Sequence, residues 1–169
     1  HMQSMEDYVD GDRLFIIGHC RYSTSDLDYN QPLATESKAI AHNGVISQES
    51  PETWKEKYGY TCETKNDSEL ILHAENPLVE FTDASIAVIE IYDNSVMRFY
   101  RNGKRPLYLS QLENGCILTS TRDIPARCGL VLTMPVPVDS YVTIDREGTM
   151  EVEQVLVRDD LQRVNYEEV

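Results

Sequence analysis

The β-rich pattern of residues 84–157 constrains the fold of this chain more than any other feature. Apolar and β-branched runs recur there in pairs, and each pair is separated by a short polar segment that contains Asn, Asp or Gly. Runs of this kind favour strands, and the residues between them favour tight turns. We therefore predict three β-hairpins, with turns at residues 93–94, 113–115 and 145–148.

Helical patterns are short and lie in two separate blocks. Ser50 and Pro51 form a typical helix start, with Ser50 as the N-cap, and Gly59 ends this first helix. Helices are predicted at residues 51–58, 67–75 and 122–128, and further strands at residues 14–19, 38–42 and 61–64. The run at 14–19 is almost continuously apolar, as buried strands are. Hairpins combined with helices in separate blocks predict an α+β fold.

Length and composition indicate one domain. The chain has 169 residues, and 41% of them are hydrophobic, which is enough for a single core. His1 and Met2 resemble a tag remnant, and the polar residues after them extend this lead-in to residue 13. The predicted domain covers residues 14–157, and the charged stretch 158–169 is predicted to be a tail.

The charge balance argues against two classes of partner. The 15 Lys and Arg residues face 29 Asp and Glu residues, a net charge of −14, so neither nucleic acid nor an anionic membrane is an expected partner. No apolar run approaches the roughly 20 residues that span a bilayer. The four cysteines form no CxxC pair and no metal-binding spacing with the histidines. We predict reduced thiols in a cytoplasmic protein without metal or cofactor.

Polar motifs at the ends of apolar runs are candidates for one site. Asn43 and Gly44 follow the predicted strand 38–42, and both residue types tolerate positive φ. A turn there can direct the Asn43 side-chain amide and the Gly44 N–H towards one point, as an oxyanion hole requires. Taken alone, an Asn-Gly pair is most often an ordinary turn.

Arg21 and Asp67 add charge recognition to that candidate site. The planar guanidinium of Arg21 suits a carboxylate ligand, although it could also pair with one of the chain's many carboxylates. Asp67 precedes an apolar run and can cap its helix or bind an ammonium group. Together the two describe a receptor for a free amino acid. His19 and His42 are interpreted as core histidines, and Cys20 as a strand residue without a catalytic role.

The order of these motifs resembles the class II glutamine amidotransferase domain, the N-terminal-nucleophile glutaminase half of enzymes such as amidophosphoribosyltransferase. The matching motifs occupy residues 18–24, 31–32, 41–44, 66–69 and 100–107. The resemblance implies a four-layer αββα sandwich with L-glutamine as the ligand. It implies that Arg21, helped by the backbone near Thr24, binds the α-carboxylate and that Asp67 binds the α-ammonium group. Asn43 and Gly44 would form the oxyanion hole.

One departure from the family pattern concerns the nucleophile. In the family it is a cysteine at the mature N-terminus, whose α-amino group is the base, whereas the first cysteine in this sequence is Cys20. We therefore expect the family's nucleophile and its first strand or strands to be absent from these residues, through omission, supply by another chain or natural loss. We also expect an exposed apolar groove or an unpaired strand edge near residues 14–19, which could bind a second copy, forming a homo-oligomer, or another protein.

Three functions remain open at this point. The first is the glutaminase half of a glutamine amidotransferase, which passes ammonia to an acceptor-synthase domain or a partner chain. The second is a binder of glutamine or glutamate that lacks the nucleophile. The third is a protein-interaction module that keeps only the fold.

Overall fold

The computed structural model describes residues 6, 9–21 and 29–155. Within them, nine strands form two antiparallel sheets. The larger sheet has the strand order β1 (Leu33–Ala34), β2 (Lys38–His42), β3 (Ala87–Tyr92), β4 (Met97–Arg101), β8 (Ser140–Ile144) and β9 (Met150–Gln154). The smaller sheet has the order β6 (Gly115–Thr119), β5 (Tyr108–Leu112) and β7 (Thr133–Pro135).

The described helices are all short. They are α1 (Trp54–Tyr58), which follows a 3-10 turn at Pro51–Thr53, α2 (Glu69–His73), α3 (Pro77–Glu80) and α4 (Asp123–Arg127). None of these helices has the length and apolar content needed to cross a membrane.

Alternation along the strands of the larger sheet produces two cores, because neighbouring side chains in a strand face opposite sides. Val88 and Tyr100 belong to the core that packs α1, α2 and α3 on the sheet. Their neighbours Ala87 and Phe99 belong to the core between the two sheets. The structure is therefore a mixed α/β fold with helices, a larger sheet and a smaller sheet in successive layers. The complete four-layer sandwich remains a prediction.

Most of the predicted elements are present. The three hairpins are confirmed as the pairs β3 with β4, β5 with β6 and β8 with β9. Strand β2 occupies the predicted residues, and Gly59 ends α1 with φ 81°. The sequence patterns did not predict β1, β7 or α3, which have two, three and four residues and are too short for a periodicity to be recognised.

The strand predicted at residues 14–19 is wrong. Among the described residues this segment pairs with neither sheet, and its side chains alternate between exposed and half-buried. It lies beside β6, an edge strand of the smaller sheet, where it helps to line a hollow of about 400 Å³ that includes Ile89 and Leu118. The expected apolar groove is thus present beside this segment.

The predictions for residues 61–64 and for the helix caps also need correction. Residues 61–64 are not a strand, because the N–H groups of Glu63 and Thr64 each donate to the Glu69 carboxylate at 2.7 Å. Ser50 forms no side-chain cap bond with the helix, and its hydroxyl instead donates to Glu52. Side-chain competition of this kind is invisible to strand and cap patterns.

A fully buried carboxylate, Glu90, lies in the larger sheet. Arg98 donates to it from Nε at 2.6 Å and from Nη2 at 3.3 Å. The hydroxyls of Tyr92 and Tyr100 donate at 2.8 and 2.7 Å, and Lys38 Nζ lies 3.9 Å away. Burial, and then the neighbouring Glu90 charge, raises the pKa of both tyrosines. Glu90 is therefore the acceptor at the centre of a buried ionic network.

Candidate functional site

A cleft of about 390 Å³ brings together four of the five predicted site residues. Arg21, Asn43, Gly44 and Asp67 all line it, at the place where β2 ends and the chain approaches α2. The fifth residue, Thr24, lies outside the described residues. The cleft is also lined by His19, Cys20, Tyr29, Gln31, His42, Asn66 and Ser68.

The backbone at Asn43 and Gly44 is held against the start of β3. Asn43 exchanges two backbone hydrogen bonds with Ala87, of 2.8 and 3.2 Å, and Val45 exchanges two with Ser85, of 3.1 and 2.9 Å. Between these pairs Gly44 has φ 149°, and a Cβ at this position would lie 1.9 Å from the Ser85 carbonyl oxygen. Only glycine fits here, which confirms the predicted positive φ. The Asn43 side chain is exposed and lines the cleft.

The Gly44→Ala variant is expected to lose about 2–4 kcal/mol of unfolding free energy, because the new methyl group meets backbone and the residue is strained at positive φ. Urea denaturation followed by circular dichroism measures this loss. Gly115→Ala is the matched control, since a Cβ there meets nothing within 4 Å. Equal midpoints for the two variants would contradict the steric argument.

His42 is buried directly behind this bend. Its Nδ1 lies 2.8 Å from the Ser68 hydroxyl, and its Nε2 lies 3.0 Å from the Ser85 carbonyl oxygen. Because a carbonyl only accepts, Nε2 carries the proton and Nδ1 accepts from Ser68. Burial lowers the pKa of His42, which favours the neutral ring. With both nitrogens engaged, His42 is a structural histidine and is not available as a base for Cys20.

Gln31 completes the support of His42 from the other side. Its side-chain amide accepts from the His42 N–H at 2.7 Å and donates to the His42 carbonyl at 3.0 Å. It therefore replaces a backbone partner at the end of β2. The sequence analysis assigned no role to Gln31, Ser68 or Ser85. Gln31 and Ser68 lie within the ordered motifs at 31–32 and 66–69, and this position was the sequence signal for a role at the site.

Asp67 does not cap a helix, which corrects that part of its prediction. Its Oδ2 accepts from the N–H groups of Ile46 and Ser47, at 2.6 and 3.0 Å. Helix α2 begins at Glu69 and has no side-chain cap bond. The Asp67 carboxylate instead ties the residues before α2 to the loop that follows Gly44.

Arg21 supplies the positive charge in the cleft. Its side chain is exposed, and the guanidinium carbon lies 5.3 Å from the centre of the Tyr29 ring, in a cation–π contact. Tyr29 is connected to the opposite wall, because Asn66 donates to its carbonyl oxygen at 3.2 Å. One cleft thus contains a guanidinium from Arg21, a carboxylate from Asp67 and a glycine bend between them along the chain.

Comparison with solved structures shows that this chain shares its fold with part of a glutamine phosphoribosylpyrophosphate amidotransferase. One similar structure is glutamine phosphoribosylpyrophosphate amidotransferase from B. subtilis in complex with ADP and GMP, with 19% sequence identity and a TM-score of 0.62. A second similar structure, that of the allosteric regulatory enzyme of purine biosynthesis, has the same identity and TM-score. Each match covers 80% of this chain and 34% of the solved chain.

These comparisons confirm the resemblance inferred from the motifs, at the level of fold. The chain spans about a third of the length of the two solved chains. No protein-family model matches the sequence, and no curated protein matches it significantly.

Proposed function

We propose that this protein is the glutaminase domain of a glutamine amidotransferase. It binds L-glutamine in the cleft and, when an N-terminal cysteine is present, hydrolyses the side-chain amide to glutamate and ammonia. The observation that supports this most is the convergence of Arg21, Asn43, Gly44 and Asp67 in one cleft. The shared fold with a glutamine-dependent amidotransferase supports the same reaction class.

Each residue has a distinct role in this proposal. Arg21, with the backbone near Thr24, binds the α-carboxylate, and Asp67 binds the α-ammonium group while its Oδ2 holds the loop. The cysteine thiolate attacks the amide carbon and forms a C–S bond, and the carbonyl oxygen becomes an oxyanion. The Asn43 amide and the Gly44 N–H stabilise this oxyanion. The α-amino group of the cysteine, which took the thiol proton, gives it to the leaving nitrogen as the C–N bond breaks and ammonia departs. Water then hydrolyses the thioester to glutamate and restores the thiol.

We assign a second hollow beside the cleft to the segment that carries the nucleophile. It measures about 510 Å³, is bordered by Gly18, Ala41 and Leu118, and reaches Asn43. A segment that carries the cysteine in this hollow would place the thiolate next to the proposed oxyanion hole. In this proposal the acceptor of ammonia belongs to another domain or to a partner chain.

The second candidate is a non-catalytic binder of glutamine or glutamate. It is favoured if no N-terminal cysteine is present, because the surroundings of Cys20, Cys62 and Cys116 do not activate their thiols. Cys20 lines the cleft, but His42 is already engaged through both ring nitrogens. Burial raises the pKa of the Cys62 thiol to about 11 and also raises the pKa of Cys116. Neither of these half-buried thiols is a nucleophile at neutral pH.

Calorimetric titration of L-glutamine, L-glutamate and D-glutamine, with ammonia release measured on the same sample, tests both candidates. Selective L-glutamine binding with ammonia release supports the glutaminase. Binding without release supports the binder, and release should then appear in a form of the protein that carries the N-terminal cysteine. If that form neither binds nor hydrolyses glutamine, the proposed function is wrong and the interaction module is favoured.

The Arg21→Ala variant is expected to weaken L-glutamine binding by about 2–3 kcal/mol, or about 30- to 150-fold, because a charge-assisted bidentate contact with the carboxylate is lost. Calorimetry measures the change. Arg127→Ala is the control, since Arg127 is an exposed arginine on α4 that pairs with Asp123. Unchanged affinity in Arg21→Ala would refute the assignment of the carboxylate site.

A further inference from the structure

A cysteine, a glutamate and a histidine outside the cleft converge on one point. The ligand atoms of Cys62, Glu69 and His73 all lie within 4.8 Å of one another. Glu69 and His73 are four residues apart on α2, so they share a helix face, and Cys62 comes from the loop before the helix. Neither the glutamine site nor the comparisons assign a role to this group.

We propose that Cys62, Glu69 and His73 form a zinc-binding site. A thiolate, an imidazole nitrogen and a carboxylate oxygen are the three ligand types that Zn²⁺ takes in proteins. The two negative ligands balance the charge of the ion, and a water molecule completes a tetrahedral set. Binding transfers the thiol proton of Cys62 to solvent.

The observed distances are compatible with this coordination. In a tetrahedral zinc site, nitrogen and oxygen ligands about 2.0–2.1 Å from the metal are separated by about 3.4 Å. His73 Nε2 lies 3.6 Å from Glu69 Oε1, close to that value. All separations in the group are within 4.8 Å, so closing the set around an ion requires a movement of at most about 1 Å. Cys62 can supply this movement by a rotation of its side chain, because it is half-buried in a loop.

The carboxylate is already oriented as a ligand. Glu69 Oε2 accepts from the Thr64 N–H and hydroxyl, at 2.7 and 2.6 Å, and Oε1 accepts from the Glu63 N–H at 2.7 Å. A carboxylate oxygen has two acceptor positions, so Oε1 can bind an ion while it keeps this bond. Hydrogen bonds from an outer shell are a usual feature of metal-binding carboxylates.

The imidazole is held by an aromatic neighbour. The rings of Tyr60 and His73 are stacked, with centres 5.8 Å apart and an angle of 22° between their planes. This stacking limits the rotation of the ring and keeps Nε2 close to Glu69. Two of the three ligands are therefore oriented before an ion arrives, which reduces the entropic cost of binding.

Titration of the reduced protein with Co²⁺ tests the proposal, because a cobalt–thiolate bond gives a charge-transfer band in the near ultraviolet. The wild-type protein should show this band, and Zn²⁺ should abolish it by displacement. Cys62→Ser should lose the band, and His73→Gln should bind Zn²⁺ at least about tenfold more weakly. Cys128→Ser, which alters an exposed cysteine elsewhere, should behave as wild type.

Three results would overturn the zinc site. The first is the absence of the cobalt–thiolate band in the wild-type protein. The second is a band that persists in Cys62→Ser. The third is a loss of the band in Cys128→Ser as large as the loss in Cys62→Ser. Both key variants preserve side-chain size, and His73 is exposed, so the fold should survive. Circular dichroism checks this. If a variant is unfolded, the reduced wild-type thiols are instead carboxymethylated at alkaline pH, where the Cys62 thiolate forms, with and without Zn²⁺, and Zn²⁺ must protect Cys62. Glutamine titration is independent of these outcomes, so this proposal and the proposed function can fail separately.

Discussion

Replacing Glu90 with alanine is expected to destabilise the fold by about 3–5 kcal/mol, because it leaves the partly buried guanidinium of Arg98 and two tyrosine hydroxyls without their carboxylate. The Glu90 side chain has 0% exposure, and Arg98 loses its bonds of 2.6 and 3.3 Å. The hydroxyls of Tyr92 and Tyr100 lose their acceptor in the same step. Chemical denaturation, extrapolated to water, measures the loss.

Two further variants separate charge from general damage to the sheet. Glu151→Gln alters an exposed glutamate on β9 of the same sheet and should change stability by less than about 0.5 kcal/mol. The double variant Glu90→Met/Arg98→Met removes both charges and should recover much of the loss. If the double variant is less stable than Glu90→Ala, the cost does not come from the unpaired charge.

In a form of the protein that carries the N-terminal cysteine, Asn43→Ala is expected to reduce kcat for ammonia release by about 10²–10³-fold. The amide of Asn43 would contact the oxyanion, which exists only after attack, so glutamine affinity should stay nearly unchanged. The backbone should not move, since Asn43 is held to Ala87 by main-chain bonds of 2.8 and 3.2 Å. Steady-state ammonia release and calorimetric affinity measure the two effects.

Asn114→Ala is the matched control, because Asn114 is an exposed asparagine between β5 and β6. It should leave kcat and affinity unchanged. If Asn43→Ala weakens glutamine binding as much as it slows turnover, Asn43 is a ground-state or structural contact. The oxyanion-hole assignment would then be wrong.

Sequence patterns predicted the β-hairpins, in which strands adjacent in the sequence pair with each other. The hairpins were recognised because period-two alternation and turn residues are both local. The strand prediction for residues 14–19 failed because an apolar run becomes a strand only when a neighbouring strand is available for hydrogen bonding. The strand prediction for residues 61–64 failed because the Glu69 carboxylate, five or six residues away, accepts hydrogen bonds from the N–H groups of Glu63 and Thr64.

The prediction of the candidate site was divided in the same way. Arg21, Asn43, Gly44 and Asp67 were found from the order of the motifs, and the structure places them in one cleft. The supports of His42 were not found, since Ser85 lies 43 residues away and no local pattern connects the two. The roles of Arg21 and Asp67 as glutamine ligands, and of Asn43 and Gly44 as oxyanion donors, remain predictions.

The backbone contacts of the Asp67 carboxylate have a consequence for the evolution of such domains. Asp67 and His42 hold the chain together through hydrogen bonds that exist without any ligand, and Gly44 permits the close approach of its backbone to Ser85. A descendant that abandoned the reaction would therefore still be selected to retain them for folding. Arg21 is exposed and contributes far less to the core, so it can drift once glutamine is no longer bound. Among homologous chains, retention of this arginine is the better indicator of a working site than retention of the buried motifs.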